Sequence, residues 1–251
     1  MNLLRKGLPS FFTSLGLVSG CISIVISISH GDLNLAGYFI LVAALFDFTD
    51  GMVARSLNSI TAFGKQLDSL ADVVSFGVAP AMILYRLILL SYVGSSPDAD
   101  FDVMNPDAGQ SVILYSSFLV AVFSALRLAK FNLDPEQVKN FKGLPTPANA
   151  ILIAAIGFFA ESSREYPFTS MIFNRYFLLA VIVISCYLLV SSIGMFSLKF
   201  SSFGIRKNSM RYIFLLFAAG LIVLYGLPGL APVIVLYILI SLINSWFVKM
   251  E

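Results

Sequence analysis

Long apolar runs without interruption dominate this chain and restrict what it can fold into. A helix needs about 20 apolar residues to cross a bilayer, and eight runs approach or exceed that length. They lie at about 9–29, 34–57, 66–93, 111–132, 146–161, 175–198, 211–227 and 230–248. A membrane β-barrel would instead alternate apolar and polar residues over about ten positions. The runs therefore predict an all-α polytopic membrane protein with about eight transmembrane helices.

The composition argues against a soluble globular enzyme and against a disordered chain. Of 251 residues, 58% are hydrophobic and 12% are charged, which is about half the charged fraction of a soluble domain. The net charge is only +2 and no basic block resembles a nucleic-acid-binding patch, so we expect no nucleic-acid partner. We expect one integral-membrane domain over residues 1–251, in which residues 211–248 form an extra C-terminal helix pair.

The basic residues between the runs predict the orientation in the membrane. The connections between the first and second, third and fourth, and seventh and eighth runs contain no lysine or arginine. The positive-inside rule then places both termini and the other connections in the cytoplasm, at the cell membrane if the organism is prokaryotic. The cytoplasmic charges would be Arg5, Lys6, Arg55, Lys65, Lys130, Lys139, Lys142, Lys199, Arg206, Lys207, Arg211 and Lys249, and only Arg164 and Arg175 depart from the pattern.

Four aspartates at the ends of the second and third runs are the most informative residues. Asp47 and Asp50 are three positions apart, and Asp68 and Asp72 are four apart, so each pair lies on one face of its helix. A carboxylate at such a position costs several kcal/mol unless it is paired, hydrated or bound to a metal. Two pairs facing each other would form an all-oxygen site for a hard divalent cation such as Mg²⁺ or Mn²⁺.

Small residues accompany both acidic pairs. Gly51 and Ala54 lie on the face of Asp47, and Gly64 lies four positions before Asp68. They would let a phosphate or a flat group approach the helix backbone. A band of interfacial charges, the alternative explanation, would need neither the small residues nor the one-face spacing. We therefore interpret this stretch as a functional site.

Residues 47–72 resemble the signature of the CDP-alcohol phosphotransferase family. That signature is Asp-x2-Asp-Gly-x2-Ala-Arg-x8-Gly-x3-Asp-x3-Asp, and every fixed position is met. The matching residues are Asp47, Asp50, Gly51, Ala54, Arg55, Gly64, Asp68 and Asp72. Members of this family are multi-span membrane proteins that transfer a substituted phosphoryl group from a CDP-linked donor to an alcohol and release CMP.

The resemblance implies a role for each matching residue. The ligands of two metal ions, Mg²⁺ or Mn²⁺, would be Asp47, Asp50, Asp68 and Asp72. Asp72 would also be the general base toward the acceptor hydroxyl. The CDP site would comprise Gly51, Ala54, Arg55 and Gly64, together with Thr13, whose surroundings resemble a Pro-Asn-x-x-Thr start in which Ser10 replaces the asparagine. The resemblance also implies a homodimer.

Three further segments resemble the serine-using branch of this family. A Ser-Phe-Gly-x-Ala-Pro-Ala run follows Asp72, and residues 125–132 and 141–148 match in the same order. The resemblance implies transfer of a phosphatidyl group from CDP-diacylglycerol to L-serine, giving phosphatidylserine and CMP. Both a direct displacement and a two-step route through a phosphatidyl-enzyme are compatible with the motif.

The serine site would lie at the ends of the fourth and fifth runs. The carboxylate of the acceptor needs a cation, and the planar guanidinium of Arg127 suits bidentate binding. Lys130, Asn132 and Lys142 are further candidates because they lie close by in sequence. Lys130 stands where many relatives of this branch carry arginine, and a point charge replaces a planar guanidinium only in part.

Two other functions stay open. The same chemistry could use another acceptor, glycerol 3-phosphate or an inositol phosphate, although a doubly charged acceptor would require more clustered arginine than the fourth and fifth runs contain. A divalent-cation transporter would place acidic residues near the bilayer midplane on several helices. Here the acidic residues gather at one end of two helices, which favours the enzyme.

Overall fold

Helices account for almost all of the structure. A computed structural model of the chain describes residues 2–93, 106–133, 142–162, 169–195 and 205–248, and within these ranges the only strand-like pairing is one bridge between Lys142 and Gly194. Six helical segments are long and apolar enough to cross a membrane: Gly7–Ser29, Leu33–Ser56, Ala62–Val93, Ala108–Leu133, Asn208–Tyr225 and Leu227–Trp246. The prediction of an all-α integral membrane protein is confirmed.

Two shorter apolar helices, Thr146–Ala160 and Arg175–Val190, lie where the fifth and sixth membrane spans are expected. The count of eight spans depends on whether these two also cross, and it stays a prediction, as does the orientation. Among the charges used to predict that orientation, Lys139, Arg164, Lys199 and Lys249 lie outside the described residues.

The helices follow one another with short connections at most junctions. The N-terminal half contains α1 (Asn2–Ser29), α2 (Leu33–Ser56), α3 (Ala62–Asp72), a π-helical turn (Val73–Val78) and α4 (Ala79–Val93). Next come α5 (Ala108–Tyr115), a 3₁₀ turn (Ser116–Phe118), α6 (Leu119–Leu133) and α7 (Thr146–Ala160). The remainder contains α8 (Thr169–Ile172), α9 (Arg175–Val190), α10 (Ile205–Tyr225), a 3₁₀ turn (Leu227–Gly229) and α11 (Leu230–Val248).

The core lies between the α1–α2 hairpin, α4 and α7. Side chains from these helices, among them Leu33, Ile40, Ile83 and Ile153, are completely buried. Small residues allow close contact: a Cβ on Gly37 of α2 would lie 2.7 Å from the ring of Phe158 on α7. Such close approach is typical of helix packing in membranes, where van der Waals contact replaces the hydrophobic driving force.

The first turn of α2 is completed by Glu161, the residue that directly follows α7. The backbone N–H groups of Leu33 and Asn34 donate to the carboxylate of Glu161, at 2.5 and 3.0 Å. Asp32 accepts from Leu35 N at 2.7 Å and supplies the local cap. A helix has unpaired N–H groups at its start and a positive dipole end, and both are stabilised by carboxylates. The opposite end of α2 carries Asp47 and Asp50.

The sixth run is predicted to be helical over 175–198, but α9 ends at Val190. Residues 191–195 instead run beside the segment that precedes α7, where Gly143 N donates to Ile193 O at 2.8 Å and Leu144 N donates to Leu188 O at 2.9 Å. These contacts give the backbone an alternative to further helical hydrogen bonds. Residues 196–198 lie outside the described residues.

Candidate active site

The hairpin formed by α2 and α3 brings the aspartates together. Carboxylate oxygens of Asp47, Asp50 and Asp68 all lie within 4.8 Å of one another. Asp72, one turn after Asp68, joins them, because all four aspartates line one small void of about 10 Å³. The spacing along each helix and the packing of α3 against α1 therefore create one acidic centre.

This acidic centre fits a divalent metal ion. Its donors are carboxylate oxygens, which hard cations such as Mg²⁺ and Mn²⁺ prefer. A void of about 10 Å³ is close to the smallest space that holds one water-sized particle. Electrostatic repulsion from Asp50 and Asp68 acts on Asp47, and a bound cation would remove it. The cluster could thus bind metal.

One of these carboxylates is fixed by the first helix. Asp50 is only 6% exposed, and its Oδ2 accepts a hydrogen bond of 2.5 Å from Oγ1 of Thr13. Thr13 lies on α1, which packs along α2 over much of its length. The contact joins residues 37 positions apart in sequence.

Two cavities meet at the acidic centre. The smaller cavity, of about 170 Å³, is lined by small and hydroxyl-bearing residues of α1, α2 and α3 and by the α2–α3 loop. The larger cavity, of about 430 Å³, extends from the four aspartates to α6 and the start of α7. The two cavities share Asp50, Gly51, Lys65 and Asp68.

The smaller cavity contains most of the residues expected to bind CDP. Gly51, Ala54, Gly64 and Thr13 all line it. Arg55 lines the larger cavity instead, although a Cβ on Gly51 would lie 3.6 Å from its guanidinium. The Arg55 side chain therefore passes beside Gly51, close to where the two cavities join.

The larger cavity contains two of the four residues expected to bind serine. Arg127 lines it and donates from Nη1 to Oγ1 of Thr146 at 3.4 Å, while its Nε is buried without a hydrogen-bond partner among the described residues. The positive charge of Arg127 acts on Asp72. Asn132 also lines this cavity and donates to Oγ of Ser69 at 2.8 Å.

The other two serine candidates lie away from the larger cavity. Lys130 is an exposed residue of α6, and neither it nor Lys142 lines the cavity. The backbone of Lys142 pairs with Gly194 in the bridge that precedes α7. The structure thus brings Arg127 and Asn132 to the acidic centre and leaves both lysines outside it.

Sequence reasoning missed Lys65 and Thr146 as site residues. Lys65 lines both cavities, and Thr146 contacts Arg127. Lys65 lies three positions before Asp68, so helical spacing could have placed it on the same face. Thr146 belongs to the segment 141–148 that resembles the serine-using branch, and it is the only hydroxyl in that segment.

Comparison with known proteins agrees with this geometry. The chain is 39% identical over 164 residues to archaetidylserine synthase of Methanothermobacter thermautotrophicus, a match that covers 63% of this chain and 62% of that protein. Two proteins named CDP-diacylglycerol–serine O-phosphatidyltransferase match over more of this chain. The Helicobacter pylori protein is 29% identical, with 97% of this chain and 92% of the relative covered, and the Mycobacterium bovis protein is 30% identical, with 94% and 73% covered.

A family model supports the same assignment over nearly the whole length. The model of the CDP-alcohol phosphatidyltransferase family matches residues 6–243. This range includes the acidic centre, both cavities and most of the C-terminal helices. The chain belongs to the CDP-alcohol phosphatidyltransferase family.

Proposed function

We propose that this protein transfers a phosphatidyl group from CDP-diacylglycerol to L-serine, giving phosphatidylserine and CMP. One observation carries the proposal: a single cavity is lined by four aspartates and also by Arg127, a cationic residue. Phosphates that bind through metal ions need acidic ligands for the metal, and the carboxylate of the acceptor needs a cation close by. The names of the Helicobacter pylori and Mycobacterium bovis relatives support serine as the acceptor.

The proposal places the CDP group in the smaller cavity. Gly51, Ala54 and Gly64 lack bulky side chains there, so the nucleotide can approach the backbone of α2 and α3. The diphosphate would lie where the two cavities meet. Lys65 offers an ammonium group at that junction, and Arg55 offers a guanidinium beside Gly51. These cations would bind phosphate oxygens.

We assign the metal site to Asp47, Asp50, Asp68 and Asp72, with two ions of Mg²⁺ or Mn²⁺. When bound, divalent cations neutralise negative charge on the diphosphate and on the departing CMP. The four carboxylates would hold the ions beside the residues that the two cavities share. Asp72 directly precedes the π-helical turn, so it is the aspartate farthest along the third span from the α2–α3 loop.

The acceptor would be oriented by the larger cavity. Arg127 binds the carboxylate of serine, and Asn132 lines the same wall. Asp72 accepts the proton of the serine hydroxyl as that oxygen forms a bond to phosphorus. The bond from phosphorus to the CMP oxygen breaks, and CMP leaves with the electron pair. Lys130 and Lys142 would act only by attracting the substrates to the cytoplasmic surface.

The proposal includes the orientation and the assembly of the protein. Both termini and the acidic centre would face the cytoplasm, with all eight apolar helices crossing the membrane in one domain and α10 and α11 as the extra C-terminal pair. A homodimer is proposed on the family resemblance alone. Light scattering of the detergent-purified protein tests it, because each chain contributes 27.4 kDa.

Release of CMP by detergent-purified protein tests the activity. We expect release from CDP-diacylglycerol that depends on both L-serine and Mn²⁺ or Mg²⁺, stops in EDTA and yields phosphatidylserine. Metal-dependent release that is indifferent to serine would contradict the acceptor and favour glycerol 3-phosphate or an inositol phosphate. No release with any acceptor would contradict the enzyme and favour the transporter.

A further inference from the structure

The hydroxyl of Thr13 lies between two acceptors in the protein interior. Thr13 is 5% exposed and its partner Asp50 is 6% exposed. Its Oγ1 lies 3.1 Å from the carbonyl oxygen of Pro9 in the same helix and 2.5 Å from Oδ2 of Asp50. Both acceptors are within hydrogen-bond distance, but a hydroxyl has one proton to donate.

Charge and distance favour Asp50 as the acceptor. Hydrogen bonds to an ionised carboxylate are shorter and about twice as strong as bonds between neutral groups. The observed distances follow this order, because the contact to Asp50 is 0.6 Å shorter than the contact to Pro9 (3.1 minus 2.5 Å). The hydroxyl of Thr13 therefore donates its proton to Asp50 and cannot donate it to a nucleotide.

We propose that Thr13 is a positioning residue for the metal site, acting through Asp50. By holding Oδ2, it would fix the rotation of the Asp50 carboxylate, which could then hold a cation together with Asp47 and Asp68. Those two aspartates have oxygens within 4.8 Å of the Asp50 ligand atom. The inference rests on the metal site of the proposed function, and it replaces a direct contact between Thr13 and CDP.

The helix that carries Thr13 is suited to this task. α1 packs against α2, α3 and the π-helical turn, so it contacts every element that contains or adjoins an aspartate of the site. A second hydroxyl contact ties α1 to the same region, because Oγ of Ser75 donates to the carbonyl of Gly16 at 3.0 Å. These contacts hold α1, and with it Thr13, against the elements that contain the aspartates.

Binding of Mn²⁺ to the full-length protein in detergent, without lipid or serine, tests the inference. The electron paramagnetic resonance signal of free Mn²⁺ gives the dissociation constant. Partners that orient metal ligands typically contribute 10–100-fold to metal affinity. We therefore expect Thr13→Val, which keeps the shape and loses the hydroxyl, to raise the dissociation constant by about 10–100-fold. Thr13→Ser, which keeps the hydroxyl, should retain the wild-type value.

Ser19→Ala is the matched control. Ser19 lies on the same helix, is also 5% exposed, and donates to the carbonyl of Leu15 at 2.9 Å within α1. Loss of this buried hydroxyl should leave Mn²⁺ affinity unchanged. Thermal unfolding verifies that each variant is folded, and Thr13→Ala replaces Thr13→Val if the valine variant does not fold.

Several results would overturn the inference. A folded Thr13→Val or Thr13→Ala protein with wild-type Mn²⁺ affinity would contradict it, above all if its CMP affinity fell, because that pattern indicates a nucleotide contact. Thr13→Ser as weak as Thr13→Val would show that the methyl group matters rather than the hydroxyl. If the wild-type protein does not bind Mn²⁺, that result would contradict the metal site itself. None of these measurements uses serine, so a failure of the proposed acceptor would be recognised separately through CMP release.

Discussion

At the residue scale, Lys65 is the cation that lies where both cavities meet. Lys65 and Lys130 are both exposed, but only Lys65 lines the smaller and the larger cavity, and Lys130 lines neither. Two lysines of the same charge therefore differ in access to the diphosphate. The contrast allows an experiment in which each substitution removes one positive charge.

We expect Lys65→Gln to raise the KM for CDP-diacylglycerol about tenfold, because a hydrogen bond to a charged group contributes about 1.5–3 kcal/mol. Lys130→Gln should leave that KM unchanged. Steady-state kinetics with saturating serine measures both. Equal effects of the two substitutions would mean that general surface charge, and not a phosphate contact, is responsible.

Arg127 should act on the other substrate. Arg127→Ala removes a guanidinium from the larger cavity, which the four aspartates also line, so we expect the KM for serine to rise by about 10–100-fold, as for a lost charge-assisted pair. The KM for CDP-diacylglycerol should change much less. Thr146→Val is a useful companion, since it removes only the hydroxyl that accepts from Arg127. An equal rise in both KM values for Arg127→Ala would contradict a carboxylate contact.

Asp72 is expected to act as the general base. Asp72→Asn keeps the shape of the side chain but removes its ability to accept a proton at neutral pH. General-base catalysis contributes about 10²–10⁴-fold, so kcat should fall by at least that range in a protein that still unfolds at the wild-type temperature. CMP release and thermal unfolding measure the two quantities. Substantial turnover by a folded Asp72→Asn protein would contradict the general-base role.

Residue spacing predicted the acidic centre better than it predicted the walls of the site. Asp47, Asp50, Asp68 and Asp72 could be placed on two helix faces from intervals of three and four, because those intervals are local properties of a helix. The contact of Thr13 with Asp50 and the position of Lys65 between two cavities depend on how separate helices pack. No local pattern in the sequence specifies such packing.

At the element scale, α1 and the π-helical turn approach each other closely near the site. A Cβ on Gly20 would lie 2.5 Å from Oγ and 2.7 Å from Cα of Ser75. The backbone of the turn cannot move aside without shifting Asp72, which directly precedes it. Glycine at this position therefore allows α1 to pack directly against the turn that follows Asp72.

Gly20→Ala should therefore destabilise the protein and reduce turnover together. Overpacking of this kind costs about 1–3 kcal/mol, and thermal unfolding in detergent should show a lower midpoint. Gly220→Ala is the control, because a Cβ on Gly220 of α10 meets nothing within 4 Å and alanine favours helix over glycine. A Gly20→Ala protein with wild-type stability and activity would show that the two segments can separate without consequence.

Helix positions followed from the apolar runs, but two irregular elements did not. Apolar length indicates where a helix crosses, and α1, α2 and α4 lie within the predicted ranges or close to them. The π-helical turn, whose Ser75 bonds to Gly16 on α1, and the early end of α9 at Val190 both involve contacts with distant segments. A hydropathy pattern does not predict these contacts, because all the residues concerned are compatible with a helix.

At the scale of the whole molecule, the distribution of charge predicts the orientation of the site. His30 and Ser56 are exposed residues near opposite ends of α2. If the acidic centre faces the cytoplasm, a membrane-impermeant maleimide should label Ser56→Cys only in inverted vesicles and His30→Cys only in intact cells. The native cysteines, Cys21 and Cys186, are replaced by serine in both proteins. Labelling with the opposite pattern would reverse the proposed topology.

The pairing of Glu161 with the start of α2 has a consequence for biosynthesis. Glu161 follows Leu33 by 128 residues, so a chain that emerges from the ribosome contains both acidic pairs long before it contains this acceptor. Until Glu161 has been synthesised, the N–H groups of Leu33 and Asn34 lack the partner that they have in the complete fold, and an unpaired buried donor costs about 1–3 kcal/mol. The start of α2, the helix that bears the first acidic pair, therefore gains its partner only after α7 and Glu161 have been synthesised and packed against it. Maturation of the site is late, although its ligands are synthesised early.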